Sequence, residues 1–181
     1  MKKIKVLVLV LFGFIALNSQ AQFNVGVTVG PQLPMGDFGD TWNTGFGANV
    51  FAKYMLNDNM GLGLNVGYYS FGSDFEGFTA SMMPITAFYH YYFGDSDFKP
   101  YIGADIGLYN YGYEMELDLG AFGTIKADDS KMYFGFAPTA GVLYGLNDKL
   151  SLVGNIKYHV VSTEESSSSF LGINVGINFA F

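Results

Sequence analysis

No cysteine and no arginine occur in this chain. Without cysteine there is no disulfide framework, no thiol nucleophile and no Cys-ligated metal site. The nine basic residues are all lysines and face 16 acidic ones, a formal charge of −7. Clustered cations that would neutralise phosphates are therefore missing, which argues against a nucleic-acid partner. There is one tryptophan, Trp42, and there are two histidines, His90 and His159. No long apolar run follows the first twenty residues.

What is abundant points elsewhere. Half of the 181 residues are hydrophobic and 18% aromatic, with 18 Phe and 13 Tyr, yet 24 are glycine. Average glycine usage is about 7%, so this chain carries nearly twice the usual share. Glycine alternating with aromatics suits a pleated wall rather than a helix. The N-terminus reads as an export leader: MKKIK is the positive region, VLVLVLFGFIAL the apolar region, and Ser19 and Ala21 are small residues placed for cleavage after Ala21. The apolar stretch from Val6 to Leu17 is short of the roughly 20 residues a spanning helix needs. Residues 1–21 are thus expected to be a signal peptide and 22–181 one domain, whose formal charge becomes −10 once Lys2, Lys3 and Lys5 are removed.

From Gln22 onward the apolar period is two. Phe23, Val25, Val27 and Val29 open the first segment, and PQLPMGDFGDTWNT interrupts it. Phe46 to Tyr54 and Leu62 to Tyr68 flank the turn LNDN; Met83 to Phe93 and Tyr101 to Tyr109 flank GDSD. An acidic stretch from about Glu114 to Ser130 is expected as a loop. Phe134 to Tyr144 and Leu152 to Val160 flank LNDK, and FLGINVGINFAF follows STEESSSS as the eighth segment. An even number of strands with alternating short and long connections predicts an eight-stranded antiparallel up-and-down β-barrel.

The face between the apolar positions is Gly, Asn, Thr, Ser and Tyr, with strand charges nearly confined to Lys53, Asp105 and Lys157. A soluble barrel would display Lys, Glu and Asp there. The pattern instead puts Leu, Ile, Val and Ala against lipid and the small polar residues in a narrow interior, with closure of the sheet pairing every backbone group. Aromatics near the strand ends suggest two interfacial girdles: Phe23, Tyr54, Tyr91, Phe93, Tyr101, Tyr144 and Phe181 at the short-turn end, and Tyr68, Phe71, Tyr109, Tyr111, Tyr113, Phe134 and Phe170 towards the long loops.

On these features the chain resembles the small outer-membrane barrels of the OmpA transmembrane-domain, OmpX and OmpW kind, the outer-membrane protein beta-barrel domain family. The resemblance covers the whole mature chain and implies an all-β, eight-stranded transmembrane β-barrel in the outer membrane, with short periplasmic turns and longer extracellular loops. It implies outer-membrane lipids and lipopolysaccharide as surroundings, and a monomer. It also implies recognition by the barrel-assembly machinery through the terminal strand, here Phe179 and Phe181 after Ile173, Val175 and Ile177. The cell-wall-binding domain that follows the barrel in OmpA is not expected. A structural or surface-interaction role ranks ahead of a narrow pore or conduit for small hydrophobic molecules, because eight strands enclose little beyond side chains.

Candidate chemistry is sparse. Asp105 and Lys157 share the polar face and are expected to form an interior ion pair that offsets the cost of burying either charge. His90 and His159 are read as interior histidines bonded to Tyr or Asn, since a metal site needs further ligands; no metal and no cofactor is expected. His159, Ser162 and Glu164 lie close in sequence, but YHVVSTEESS does not match the His-x-Ser arrangement of the lipid A deacylase, and no enzymatic activity is assigned. The acidic loop residues Asp37, Asp40, Asp74, Glu76, Glu114, Glu116, Asp118, Asp128, Asp129, Glu164 and Glu165 read as solvated charge, with Lys126 and Lys131 beside them. Trp42 is expected at the membrane interface. Glycines at GFG 45–47 and GLG 61–63 lie inside strands with no helix following, which rules out a nucleotide loop.

Overall fold

A computed structural model describes residues 23–74, 78–94, 96–118, 124–163 and 167–181. The leader expected at 1–21 and the acidic positions Glu76, Glu164 and Glu165 lie outside the described residues. The elements are β1 (Phe23–Met35), a short helix α1 (Asp37–Thr41), β2 (Gly45–Asn57), β3 (Met60–Gly72), β4 (Phe78–Tyr92), β5 (Phe98–Asp118), β6 (Thr124–Gly145), β7 (Leu150–Ser162) and β8 (Ser167–Ala180). Each strand pairs antiparallel with the next, and β8 pairs with β1 through Val25↔Phe179, Val27↔Ile177 and Val29↔Val175, closing the barrel. The eight-stranded up-and-down architecture is thus as the alternation predicts.

The faces follow the period of two. Val27, Val50, Leu64, Ile85, Ile106, Ile156 and Val175 point outward, while Thr28, Asn49, Asn65, Thr86, Asp105, Lys157 and Asn174 on the alternate positions are buried inside. Short turns join strands at one end. Asn147 Oδ1 accepts from Lys149 N and Leu150 N at 3.0 and 2.9 Å, and Asn57 Oδ1 accepts from Asn59 N at 2.9 Å. Such side-chain bonds to the backbone ahead are why Asn favours tight turns. Gly94, in the turn after β4, takes φ +78°, a conformation that disfavours any residue with a Cβ.

Glycine has a second use on the inner wall. Gly26 stands directly opposite Phe51, Gly47 opposite Tyr69, Gly63 opposite Phe88, Gly103 opposite His90 and Gly141 opposite Tyr101 on the neighbouring strand. In each case the ring lies over the glycine, and an added Cβ would overlap it. Glycine thus makes the space that lets rings fill a narrow barrel.

Three expectations need correction. The stretch from Glu114 to Ser130 is not a loop throughout: β5 runs to Asp118 and β6 starts at Thr124, paired in register from Asp118↔Thr124 down to Phe98↔Tyr144. Alternation persists there in a charged ribbon, and charge alone does not end a strand. Of the aromatics assigned to the girdles, Phe71, Tyr101, Tyr109 and Phe170 are buried, whereas Tyr68, Phe134 and Tyr144 are exposed. Nearness to a strand end does not decide orientation; parity along the strand does. Trp42 is not a lipid-facing anchor, because α1 carries it onto the cluster that closes the barrel's end, packed with Tyr111 and Tyr133 against buried residues.

Candidate functional site in the barrel interior

Buried side chains fill the interior in three tiers. In the middle tier Asp105 Oδ2 accepts from Lys157 Nζ at 2.6 Å, Asp105 Oδ1 accepts from Thr139 Oγ1 at 3.1 Å, and Thr86 Oγ1 approaches Oδ2 at 3.4 Å. The structure therefore brings together the two charges singled out in the sequence, from β5 and β7, with a hydroxyl from the intervening β6. A buried charge pair is tolerated when further hydrogen bonds satisfy it. Beside it an amide ladder crosses three strands: Gln32 Nε2 donates to Asn174 Oδ1 at 3.0 Å, and Asn174 Nδ2 donates to Asn155 Oδ1 at 3.0 Å.

Towards the short turns, Lys53 Nζ donates to Tyr92 Oη at 2.8 Å and lies 4.7 Å from the centre of that ring. His90 is held between Phe88 and Tyr101, ring centres 4.4 and 4.6 Å away. Across the β1–β8 seam, Asn178 Nδ2 donates to Asn24 Oδ1, whose residue stands opposite Lys53, at 2.9 Å. A cavity of about 20 Å³ remains in this half, lined among others by Lys53, His90, Asn65, Asn155 and Lys157. That is room for about one water-sized species.

The opposite end is apolar. His159 stacks on Phe170 at 4.3 Å with planes 7° apart, and Tyr109 Oη lies 2.9 Å from His159 Nδ1. Tyr69 meets both His159 and Phe170 edge-on, while its hydroxyl donates to Asn49 Oδ1 at 2.7 Å. Above these rings α1 places Phe38 against Phe71 at 5.1 Å, against Tyr111 at 6.2 Å and against Phe170 at 6.3 Å. A helix of five residues thus caps the barrel. The motif DFGD, an aromatic amid turn formers, was the only sequence trace of it.

The remaining candidates separate. His159 is fully enclosed, whereas Ser162 is exposed, so the two do not share an environment for catalysis. His90 and His159 sit at opposite ends of the interior. Among the described residues no group of three His, Cys, Asp or Glu side chains is placed to hold a metal. Phe179 faces outward at the barrel's closing edge, in contact with Phe181 at 5.1 Å, and Phe181 also meets Phe23 at 6.0 Å while donating its backbone N–H to Phe23 O at 3.0 Å.

Comparison with known proteins gives the same architecture. A family model described as outer membrane protein beta-barrel domain matches residues 6–181. An uncharacterized protein of Haemophilus influenzae is 25% identical over 186 residues, spanning 98% of this chain and 99% of its own length. Among solved structures, neisserial surface protein A superposes with a TM-score of 0.65 at 20% identity, over 88% of this chain and 97% of that one. Ail, the attachment invasion locus protein of Yersinia pestis, gives 0.53 at 14% identity, over 88% and 99%. At these identities the structural likeness is one of fold.

Proposed function

The chain belongs to the outer membrane protein beta-barrel domain family and resides in the outer membrane, and from that premise we propose that it is a closed, non-catalytic barrel that supports the envelope and presents its extracellular end for interaction. One observation carries this reading. β5 and β6 are 21 and 22 residues long, against 13 to 15 for the other strands. β6 pairs with β7 from Phe134 downward, so among the described residues β7 does not accompany the upper part of β6. On the other side of the hairpin β4 accompanies β5 as far as Met115, so the extension is shared by three strands up to that level and by β5 and β6 alone above it. An open strand edge is a template for pairing with an extended segment of another chain. Glu114, Glu116, Asp118, Asp128 and Asp129 outnumber Lys126 and Lys131 on the hairpin, which favours a basic segment.

The side chains buried at the aromatic cap and at the ion-pair tier favour the same reading over a conduit. On this proposal residues 1–21 are the cleaved leader, the barrel-assembly machinery reads Phe179 and Phe181, and the outward-facing girdle aromatics such as Tyr68, Phe134 and Tyr144 meet lipid and lipopolysaccharide. The test is reconstitution of the mature chain in bilayers beside a variant whose residues 112–130 are replaced by Asn-Gly. The expected results are no discrete conductance steps from the parent, and binding of extended Lys-containing peptides by the parent but not by the trimmed barrel. Stepwise conductance, or equal peptide binding by both, would overturn it.

A further inference from the structure

The two sides of the upper β5–β6 hairpin differ in residue type. Asp105 and Tyr109 on β5 are buried in the barrel. In steps of two, the same side of the strand carries Tyr111, packed against the core cluster, and then Tyr113, 45% exposed. The ladder with β6 runs unbroken from Phe98↔Tyr144 to Asp118↔Thr124, so parity is kept to its end. Above Tyr113↔Asp129, this inner side holds the register positions Met115↔Ala127 and Leu117↔Ile125. The outer side holds Glu114↔Asp128, Glu116↔Lys126 and Asp118↔Thr124. Apolar and acidic residues therefore sort by parity, with Lys126 the one basic residue among these outer positions.

The strands beside the hairpin decide where a further strand can join. β4 covers β5 as far as Phe78↔Met115, whereas β7 accompanies β6 up to Phe134↔Ser162 among the described residues. An added strand therefore has its place along β6 rather than along β5. Whatever its direction, its successive residues fall on opposite sides of the sheet. One set continues the row of Ala127 and Ile125, and the other continues the row of Asp128 and Lys126. Neighbours on one face determine how well strands pair.

We propose that the upper β6 edge selects an extended segment in which apolar and basic residues alternate, a specificity that rests on the reading of the hairpin as a surface for a basic segment. The apolar residues extend the side of Met115, Leu117, Ile125 and Ala127. The basic residues between them extend the side of Glu114, Glu116, Asp118 and Asp128, where the charge is complementary. A slip of one residue would set every basic residue on the apolar side, so register is specified as well. A second copy of the hairpin would match the apolar side but bring carboxylates beside carboxylates, so the partner is a different chain.

The mature chain, refolded in detergent, is titrated with three labelled peptides of one length, and the barrel trimmed at 112–130 serves as baseline. The peptides are Lys and Val in alternation, the same Lys and Val in two blocks, and Glu and Val in alternation. Fluorescence polarisation is expected to show the alternating Lys peptide bound at least about tenfold more tightly than its block isomer, a difference that a few cross-strand side-chain pairs supply. The Glu peptide is expected at baseline, and added salt is expected to weaken the Lys peptide. Leu117→Thr with Ile125→Thr is expected to abolish the preference for alternation. Glu116→Gln with Asp128→Asn is expected to lower the affinity and flatten its salt dependence. Heat-modifiable migration confirms that each variant is folded. Equal binding of the alternating and block peptides would overturn the alternation and leave the basic-segment surface standing. Binding of neither Lys peptide would overturn both. A preference for alternation that survives the changes at Leu117 and Ile125 would remove the apolar side from the account and overturn the proposal.

Discussion

Asp105 on β5 and Lys157 on β7 belong to strands that do not pair with each other, yet Lys157 Nζ reaches Asp105 Oδ2 at 2.6 Å across the inner wall. Thr139, which stands opposite Lys157 in the β6–β7 register, donates to the other carboxylate oxygen. The pair ties three consecutive strands by side chains, in addition to their backbone ladders. Removing one partner strands a charge, at about 3–5 kcal/mol. Asp105→Asn and Lys157→Met should each lower unfolding free energy by that order in urea titrations of the refolded barrel. The double variant should recover most of the loss, giving a strong coupling in the mutant cycle. Additive losses would mean the two charges act independently.

The glycine-to-ring register gives a second expectation. Tyr69 covers Gly47, and a methyl group there would overlap the ring. Gly47→Ala should destabilise by about 1–3 kcal/mol, the usual cost of overpacking. Tyr69→Ala alone should also destabilise, since it removes a buried ring and its bond to Asn49. Combined, the losses should be less than additive, because the alanine methyl then enters the space the ring vacated. Equilibrium unfolding of the four chains measures this.

Phe38 makes a third case, with two readouts that diverge. It is buried among Phe71, Tyr111 and Phe170, so Phe38→Ala should cost about 3–5 kcal/mol as other buried Phe truncations do. Trp42, whose ring is 6.5 Å from that of Phe38, reports the same event. Its emission should shift to the red as the cap loosens. Conductance should nevertheless stay absent, because Tyr69, Tyr109 and the His159–Phe170 stack close the interior beneath the cap. Channel activity in this variant would show that the cap alone seals the barrel.

How much of this was legible beforehand depends on the range of the interaction. Parity along a strand is local, so the inner and outer faces could be read directly, and with them the shared face of Asp105 and Lys157. Parity also contradicts placing Tyr101 and Tyr109 in the girdles: both stand four residues from Asp105, on the inner face. The ring-over-glycine pairing needed the inter-strand register, which no single strand encodes. The cap was hidden for another reason. A five-residue helix has no measurable period, and its stability rests on Phe38 meeting residues from β3, β5 and β8, all distant in sequence.

Phe181 allows two physical roles to be distinguished. Its backbone N–H bonds to Phe23 O, and its ring packs on Phe23 and Phe179, so it contributes one hydrogen bond and two ring contacts to the seam between β1 and β8. The hydrogen bond is worth about 1 kcal/mol and the ring pairs about 0.5–1.5 kcal/mol each. Deleting Phe181 should therefore lower the stability of the barrel refolded in detergent by a few kcal/mol at most and leave it folded. If the residue is also a recognition element for assembly, the same deletion should sharply reduce barrel reaching the outer membrane in cells while leaving export across the inner membrane intact. Replacement by Tyr, which keeps the ring contacts, should restore much of the stability. Comparing heat-modifiable migration in gels of refolded protein and of membrane fractions separates the roles. Equal losses in both would assign Phe181 to seam stability alone, and a loss confined to cells would assign it to assembly.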